Sequence, residues 1–134
     1  MASKGGTKRW MAPELISEED NTKESDVFAW ACVCYEIFTG QVPYYKILNP
    51  TSVALGILLG KTPTRPEDSD AAWHKCGLTQ QMWDLMEECW AFHAKDRESA
   101  SAIVARLKEN AKPDMRKPGE WKGEHATRYR REVD

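Results

Sequence analysis

The chain has 134 residues, with 19 Lys and Arg against 21 Asp and Glu, so its formal net charge is −2. This length is typical of one small domain, and a hydrophobic share of 41% argues against a wholly disordered chain. The near-balanced charge argues against a protein built mainly to grip nucleic acid. The longest uninterrupted apolar run, 27–35, is far shorter than the about 20 residues that a membrane-spanning helix needs.

The cysteines indicate the compartment. Cys32 and Cys34 lie inside an apolar run, and no signal-peptide pattern precedes them. We therefore expect a reducing, intracellular environment, and a cytoplasmic location, rather than two disulfides.

The first predicted element is a loop. Residues 1–15 mix Gly5, Gly6 and Pro13 with bulky side chains, which is typical of an ordered loop rather than a regular element. A polar surface turn is predicted to follow at 18–22.

A central helix is predicted over 27–39. Ser25 is a candidate N-cap, Asp26 suits the first turn, and Gly40 suits the left-handed position after the last turn. Apolar side chains occur on every face of this segment, so we expect a helix packed on several sides.

The middle of the chain predicts two helices and a long loop. Asn49-Pro50-Thr51 is predicted to open a second apolar stretch, 53–59, which ends at Gly60 and is interpreted as a short helix. The Pro-rich stretch 61–75 is predicted to be a loop. Thr79 is predicted to cap a helix that runs through about residue 91, because apolar residues recur there at helical spacing.

The last helix is predicted to begin after Ser99, with one apolar stripe made by Ile103, Val104 and Leu107. Residues 112–134 carry seven basic and five acidic side chains with little to bury, which predicts a charged, flexible tail. No strand pattern is found, so the predicted fold class is all-α.

The run 6–14 (GTKRWMAPE) ends in the A-P-E signature and resembles the end of a protein-kinase activation segment. Five further stretches follow in the order of that family, namely 25–30, 35–44, 60–66, 82–90 and 97–107. The sequence pattern Gly-Thr-x-Arg-Trp resembles that of the tyrosine-kinase-like branch of Ser/Thr kinases more than that of true tyrosine kinases. The resemblance implies that residues 1–111 are a truncated kinase domain, comprising the activation-segment end and the helices of the C-terminal lobe.

The resemblance also implies a structural clamp. Glu14 would pair with Arg97 and lock the activation-segment end onto the helices, and a shielded Arg–carboxylate pair is a strong contact. Asp26 would accept hydrogen bonds from the catalytic loop in an intact kinase. In a chain without that loop, we interpret Asp26 as a first-turn residue favoured by the helix dipole.

Four residues would border the substrate by the same resemblance. Thr7 would face the catalytic Asp and the substrate hydroxyl, and Arg9, Trp10 and Met11 would shape the pocket beside the phosphoacceptor. Two departures from the family lie on either side of Arg97, the first in the turn before it and the second at the start of the last helix. His93-Ala94 stands where the family usually has Asp-Pro, and Glu98 stands where Pro usually follows the Arg.

The parent family transfers the γ-phosphoryl group of ATP to protein Ser/Thr side chains, with ATP and Mg as cofactors. None of its catalytic signatures (G-x-G-x-x-G, V-A-I-K, H-R-D or D-F-G) occurs in this sequence. We therefore expect no catalytic residue, no cofactor and no activity in this chain, as in a truncated gene product or a remnant of a duplicated kinase. The alternative is a non-catalytic interaction module, or pseudokinase remnant, that binds a protein partner.

Two other binding functions are weaker hypotheses. A zinc site is disfavoured because the candidate ligands lack paired C-x₂₋₄-C units, and buried inert thiols are the default. Its candidates are Cys32, Cys34, Cys76, Cys89, His74 and His93. A nucleic-acid-binding tail is disfavoured because acidic residues interleave the basic ones, which are Lys122, Arg128, Arg130 and Arg131, near Trp121 and Tyr129.

One physical consequence follows from the truncation. The central helix of this lobe normally packs against an upstream helix and the catalytic loop, so one side of 27–38 is expected to be uncovered. Exposed apolar surface of that kind marks a partner site or a tendency to self-associate.

Overall fold

The computed structural model describes residues 8–113, which form six α-helices, two short 3₁₀ helices and no strand. The predicted all-α class is confirmed for this part of the chain. The 3₁₀ helices are Lys8–Trp10 and Ala94–Asp96. The α-helices are α1 (Pro13–Ile16), α2 (Lys23–Thr39), α3 (Pro50–Leu58), α4 (Ala71–His74), α5 (Gln80–Cys89) and α6 (Ala100–Asn110).

Helix α2 is the central element, as predicted. It packs against α4, α5 and both 3₁₀ helices, and its buried side chains include Phe28, Ala31, Cys32 and Tyr35. Burial on several sides explains why its apolar residues are not confined to one stripe.

Aromatic rings fill the space between α2 and α5. The ring centroids of Trp83 and Trp90 lie 5.5 Å apart, and Tyr35 lies 6.3 Å from Trp83 and 6.2 Å from Trp90. Tilted and edge-on pairs at these separations are the favoured arrangements of aromatic rings. This cluster forms the main core.

A second, smaller core lies between α1, α3 and the first 3₁₀ helix. Tyr44, Val53 and Ile57 are buried there, with Ile16 and Ile47 packed against them. This core attaches the N-terminal segment to the rest of the molecule.

The start of α2 differs from the prediction. The N-cap is Thr22, not Ser25, and the helix begins at Lys23 rather than Val27. The Thr22 side chain accepts a hydrogen bond from the Ser25 backbone N–H, and the Ser25 hydroxyl accepts one from the Thr22 N–H. Ser25 is therefore the second member of a capping box. Gly40, with φ of 68°, ends the helix as predicted.

Four short elements were not predicted, namely both 3₁₀ helices, α1 and α4. The segment 1–15 is predicted to be a loop, but it contains the first 3₁₀ helix and most of α1, which begins at Pro13 and ends at Ile16. The segment 61–75 contains α4, capped by the Asp70 side chain at the Ala72 N–H. Elements of three or four residues are too short to show an apolar period, which is why the pattern did not predict them.

The later helices follow the prediction more closely. Thr79 caps α5 through the Met82 N–H, and Ser99 caps α6 through the Ala102 N–H. Helix α3 begins at Pro50, within the opening predicted at 49–51, and Asn49 caps it through the Thr51 N–H. The predicted flexible tail 112–134 lies outside the described residues from 114 onward.

None of the helices within 8–113 is long and apolar enough to cross a membrane.

Candidate functional site

An ion pair joins α1 to the segment before α6. The Arg97 guanidinium donates from Nη1 to Glu14 Oε1 at 2.5 Å and from Nη2 to Glu14 Oε2 at 2.9 Å, across 83 positions of sequence. The Arg97 side chain has no exposed surface, and that of Glu14 is 14% exposed. The pair that the resemblance implied is therefore present, bidentate and shielded from water.

Every N–H of the Arg97 guanidinium has an acceptor. Nε donates to the Ala91 carbonyl at 2.8 Å, Nη1 donates also to the Glu24 carbonyl at 3.1 Å, and Nη2 donates also to the Phe92 carbonyl at 3.1 Å. Five donors thus bind Glu14 and three carbonyls, which is the full capacity of the group. A buried charge satisfied in this way is costly to remove.

The turn at His93-Ala94 forms although these two residues differ from the family pattern. The turn before Arg97 is closed by hydrogen bonds from the Asp96 N–H to the His93 carbonyl and from the Arg97 N–H to the Ala94 carbonyl. Arg97 also holds the carbonyls that precede this turn. The turn therefore forms without the Asp-Pro pair that is usual in the family.

The pKa of Glu14 reflects this environment. Burial raises the pKa of its carboxyl, but the hydrogen bonds and positive charge of Arg97 outweigh burial, so the pKa lies below its ordinary value. Glu14 is consequently ionised at neutral pH.

Arg9 anchors the segment that the resemblance assigns to the substrate pocket. Its guanidinium donates to the carbonyls of Pro43 and Tyr44 at 3.1 and 2.9 Å and to that of Ile47 at 2.7 Å, with a longer contact of 3.4 Å to Leu48. These carbonyls belong to the loop between α2 and α3.

The loop that Arg9 binds is strained. Tyr44 adopts a φ of 58°, a left-handed conformation that side chains other than glycine rarely take. Its buried hydroxyl donates to the Lys61 carbonyl at 3.1 Å. The hydrogen bonds of Arg9 to the Pro43 and Tyr44 carbonyls hold this conformation in place.

The other predicted pocket residues lie beside Arg9. The Trp10 indole N–H donates to a carboxylate oxygen of Glu36 on α2, so Trp10 is tied to the central helix. Met11 is half-buried, and its N–H donates to the Lys8 carbonyl at 3.1 Å. Thr7 lies outside the described residues.

Asp26 is exposed on the first turn of α2, close to its N-terminus. It makes no salt bridge within the described residues. Its position is that of a first-turn acidic residue, where the helix dipole favours a negative charge.

One face of α2 carries a partly exposed apolar stripe made by Trp30, Val33 and Ile37. Val33 and Ile37 are 46% and 70% exposed, and half-buried Trp30 precedes them at helical spacing. The predicted uncovered side of the central helix is therefore present in the described part of the molecule. A groove of about 530 Å³ continues this surface between α2 and α6, lined by Val27, Trp30, Ile103, Val104 and Leu107.

The cysteines and histidines do not converge. No group of three His, Cys, Asp or Glu side chains that could hold a metal ion occurs in residues 8–113. Burial raises the pKa of Cys32 to about 12, that of Cys34 to about 11 and that of Cys89 to about 12, so these are protonated thiols. Cys76, His74 and His93 are exposed.

Sequence reasoning missed the acceptors of this site. Glu36 and the carbonyls of residues 43–48 were not singled out, although they hold Trp10 and Arg9. A backbone carbonyl has no signature in sequence, because every residue has one. For Glu36, the available signal was a carboxylate inside the otherwise apolar segment 27–38 of α2.

A short helix that begins at the Pro of A-P-E, clamped by a buried arginine to a body of helices, defines part of a protein-kinase catalytic domain. Residues 2–107 match the family described as protein tyrosine and serine/threonine kinase. The chain belongs to this family.

Several curated kinases are similar to this chain. Serine/threonine-protein kinase STY46 of Arabidopsis thaliana is 31% identical over 95% of this chain and 20% of its own length. Mitogen-activated protein kinase kinase kinase 10 of Homo sapiens is 34% identical over 78% of this chain and 10% of its own. Inactive tyrosine-protein kinase 7 of Gallus gallus is 35% identical over 74% of this chain and 9% of its own length. The chain thus spans a fifth or less of the length of these relatives.

Proposed function

We propose that this chain supplies the substrate-side, helical part of a protein-kinase domain whose reaction is ATP-dependent phosphorylation of protein Ser or Thr side chains. The observation that carries the proposal is the Glu14–Arg97 pair, which fixes the A-P-E segment to the helices. Arg9 fixes the preceding residues to the loop between α2 and α3. In this proposal Thr7, Arg9, Trp10 and Met11 border the phosphoacceptor, and they do no proton or phosphoryl transfer themselves.

The chemistry of the reaction lies in residues other than these 134. Phosphoryl transfer needs a loop over the phosphates, a Lys that holds them, a base Asp and a metal-binding Asp. The corresponding signatures are absent from this sequence, so ATP and Mg belong to an intact kinase and this chain by itself is inactive. The three buried thiols favour an intracellular, cytoplasmic location, where cysteines stay reduced.

A phosphate-transfer assay tests the proposal. The purified chain is incubated with Mg²⁺, radiolabelled ATP and a generic protein substrate. The Arg97→Ala variant, expressed and purified by the same procedure, is assayed alongside it. We expect both samples to show the same background incorporation. Incorporation that the chain gives and the variant loses would contradict the proposal, because a contaminating kinase would label both samples alike.

A non-catalytic, pseudokinase-like interaction module that binds a protein partner is the second candidate. Its support is the exposed pair Val33 and Ile37 beside half-buried Trp30, since contiguous apolar surface marks binding sites. One similar protein is itself named an inactive kinase. If the stripe is uncovered, the chain self-associates or binds a hydrophobic dye, and Ile37→Asp lowers both signals. A monodisperse chain that binds no dye would count against an uncovered stripe.

A further inference from the structure

Exposed apolar side chains concentrate around helix α3. Eleven large apolar side chains are exposed within residues 8–113, and six of them lie between positions 42 and 59, namely Val42, Tyr45, Leu48, Leu55, Leu58 and Leu59. Leu48 and Leu59 are the most exposed of these, at 86% and 73%. Apolar surface gathered in one place marks an interaction site, whereas single exposed residues do not.

The exposed residues form one face of the helix. The opposite face is buried in the second core through Val53 and Ile57. The exposed face, which we name the α3 strip, consists of Thr51, Ser52, Leu55, Leu58 and Leu59. Positions three or four apart on a helix lie on the same side, so these residues are continuous. The strip has short side chains near the start of α3 and leucines near its end.

The α3 strip carries no charge. Helix α3 is the only helix of eight or more residues in the described part of the chain that has no charged side chain. The lysines that flank it in sequence are turned to other groups. Lys46 Nζ lies 5.8 Å from the ring centroid of Tyr45, and the Lys61 side chain lies against Gly56, which is buried.

The elements that pack against α3 add few free charges to this region. They include the first 3₁₀ helix and α1, whose charged residues are Lys8, Arg9 and Glu14. Arg9 is bound to carbonyls of the loop before α3, and Glu14 is bound to Arg97. The acidic residues 18–20, which follow α1, form no salt bridge within the described residues. Charge therefore gives the strip no preference for an acidic or a basic partner.

A neutral face suits contact with a second copy of the chain. In a two-fold dimer both chains use the same surface, so a charge near the axis meets the same charge, which costs several kcal/mol. The groove between α2 and α6 has charged residues of both signs in its lining, including Lys23, Asp26 and Lys95. The α3 strip has none, so its symmetric pairing meets no such repulsion.

The α3 strip is also complementary to itself in shape. When two copies of α3 cross in an antiparallel sense with Leu55 on the two-fold axis, residues after position 55 face residues before it. Leu58 and Leu59 of each chain then lie opposite Ser52 and Thr51 of the other. Large side chains opposite short ones interdigitate, which lets two helices approach to about 8–10 Å.

We propose that two copies of this chain form a two-fold dimer through the α3 strip, with Leu55 of each chain at the axis. The dimer buries the leucines that α3 exposes in a single chain, and removing this apolar surface from water supplies the driving force. The contact does not depend on the proposed part in phosphorylation.

Sedimentation velocity of the full chain over a range of concentrations tests the association. We expect the apparent mass to rise with concentration from that of one chain to that of two. Leu55→Asp should raise the dissociation constant by more than about tenfold, because each dimer loses two buried leucines and brings two carboxylates together. Val104→Asp is the matched control and should leave the constant unchanged. Val104 is 48% exposed and Leu55 is 58% exposed, and the two lie on different helices.

Thiol cross-linking tests the two-fold geometry. Cys76→Ser first removes the exposed cysteine of the described residues, since Cys32, Cys34 and Cys89 are buried. A Leu55→Cys variant in this background is then treated with a short bismaleimide. We expect a covalent dimer, because the two copies of position 55 meet at the axis. Phe92→Cys is the control, since Phe92 is 45% exposed and lies outside the strip, and it should stay monomeric.

Three results would overturn the proposal. One is a chain that stays monomeric at every concentration, which would leave the α3 strip to a different protein. Another is an association that Leu55→Asp does not weaken, which would assign the contact to another face, such as the stripe on α2. The third is an association that Leu55→Asp weakens although Leu55→Cys gives no covalent dimer, which would mean that the strip meets a different surface of the second copy.

Discussion

At the scale of single residues, Arg97 connects more of the fold than a surface arginine would. Its five N–H groups bind one carboxylate and three carbonyls from α1, α2 and the segment after α5. Its guanidinium also lies 5.1 Å from the ring centroid of Phe28 in the main core. One side chain therefore joins three parts of the fold.

Replacing Arg97 by Ala is predicted to lower the free energy of unfolding by about 3–5 kcal/mol, because it strands a poorly solvated carboxylate and three carbonyls. Urea unfolding measures the change. Arg106→Ala is the control, since Arg106 pairs with Glu88 while both are partly exposed, and such pairs contribute about 0–1 kcal/mol. Equal losses in the two variants would contradict a special role for Arg97.

The lowered pKa of Glu14 predicts that the free energy of unfolding depends on pH. Its pKa is lower in the folded chain than in the unfolded chain, because Arg97 outweighs the effect of burial. Its contribution to stability is therefore complete above the ordinary carboxyl pKa and is lost as the pH falls through the folded-state pKa. Glu14→Gln should remove this share of the acid sensitivity. Urea unfolding from pH 7 down to pH 3 measures the free energy of unfolding of both chains. If that free energy falls equally with pH in the unaltered chain and in Glu14→Gln, the predicted role of Glu14 is refuted.

At the scale of elements, side-chain caps mark where five of the six α-helices within the described residues begin. Thr22, Asn49, Asp70, Thr79 and Ser99 each accept a hydrogen bond from a first-turn N–H with their side chains. The capping box of Thr22 and Ser25 starts the helix on which the whole fold is built.

Thr22→Ala is predicted to lower the free energy of unfolding by about 1 kcal/mol, the usual effect of losing an N-cap side chain. Thr51→Ala is the matched control, because Thr51 is an exposed residue in the first turn of α3 and donates only its backbone N–H to a cap. Thermal unfolding of both variants gives the difference. A Thr22 variant as stable as the Thr51 variant would show that the cap is not needed.

The elements also show how far sequence reasoning reaches. The caps at Thr79 and Ser99 and the end at Gly40 were predicted, because a polar cap and a glycine act locally. The start at Thr22 was missed because Ser25 is also a good cap residue, and the choice depends on the reciprocal bond between the two. The Glu14–Arg97 pair was reached only through the family resemblance, since no local rule connects residues 83 positions apart.

At the scale of the whole molecule, the fold combines a core of Tyr35, Trp83 and Trp90 with a central helix that is covered on only some sides. The rings join α2 to α5, and Val33 and Ile37 of α2 stay exposed within the described residues. In the proposed function, the chain carries the A-P-E anchor and presents a substrate-side surface, while the binding of ATP belongs to residues outside it.

Thermal unfolding of the full chain with and without Mg–ATP tests this central claim most directly. A ligand at 100 times its dissociation constant stabilises a folded protein by about 2.7 kcal/mol, which a shift of the midpoint reveals. We predict that millimolar Mg–ATP leaves the midpoint unchanged. A midpoint that rises with ATP concentration would contradict the claim, because it would place a nucleotide site within these 134 residues.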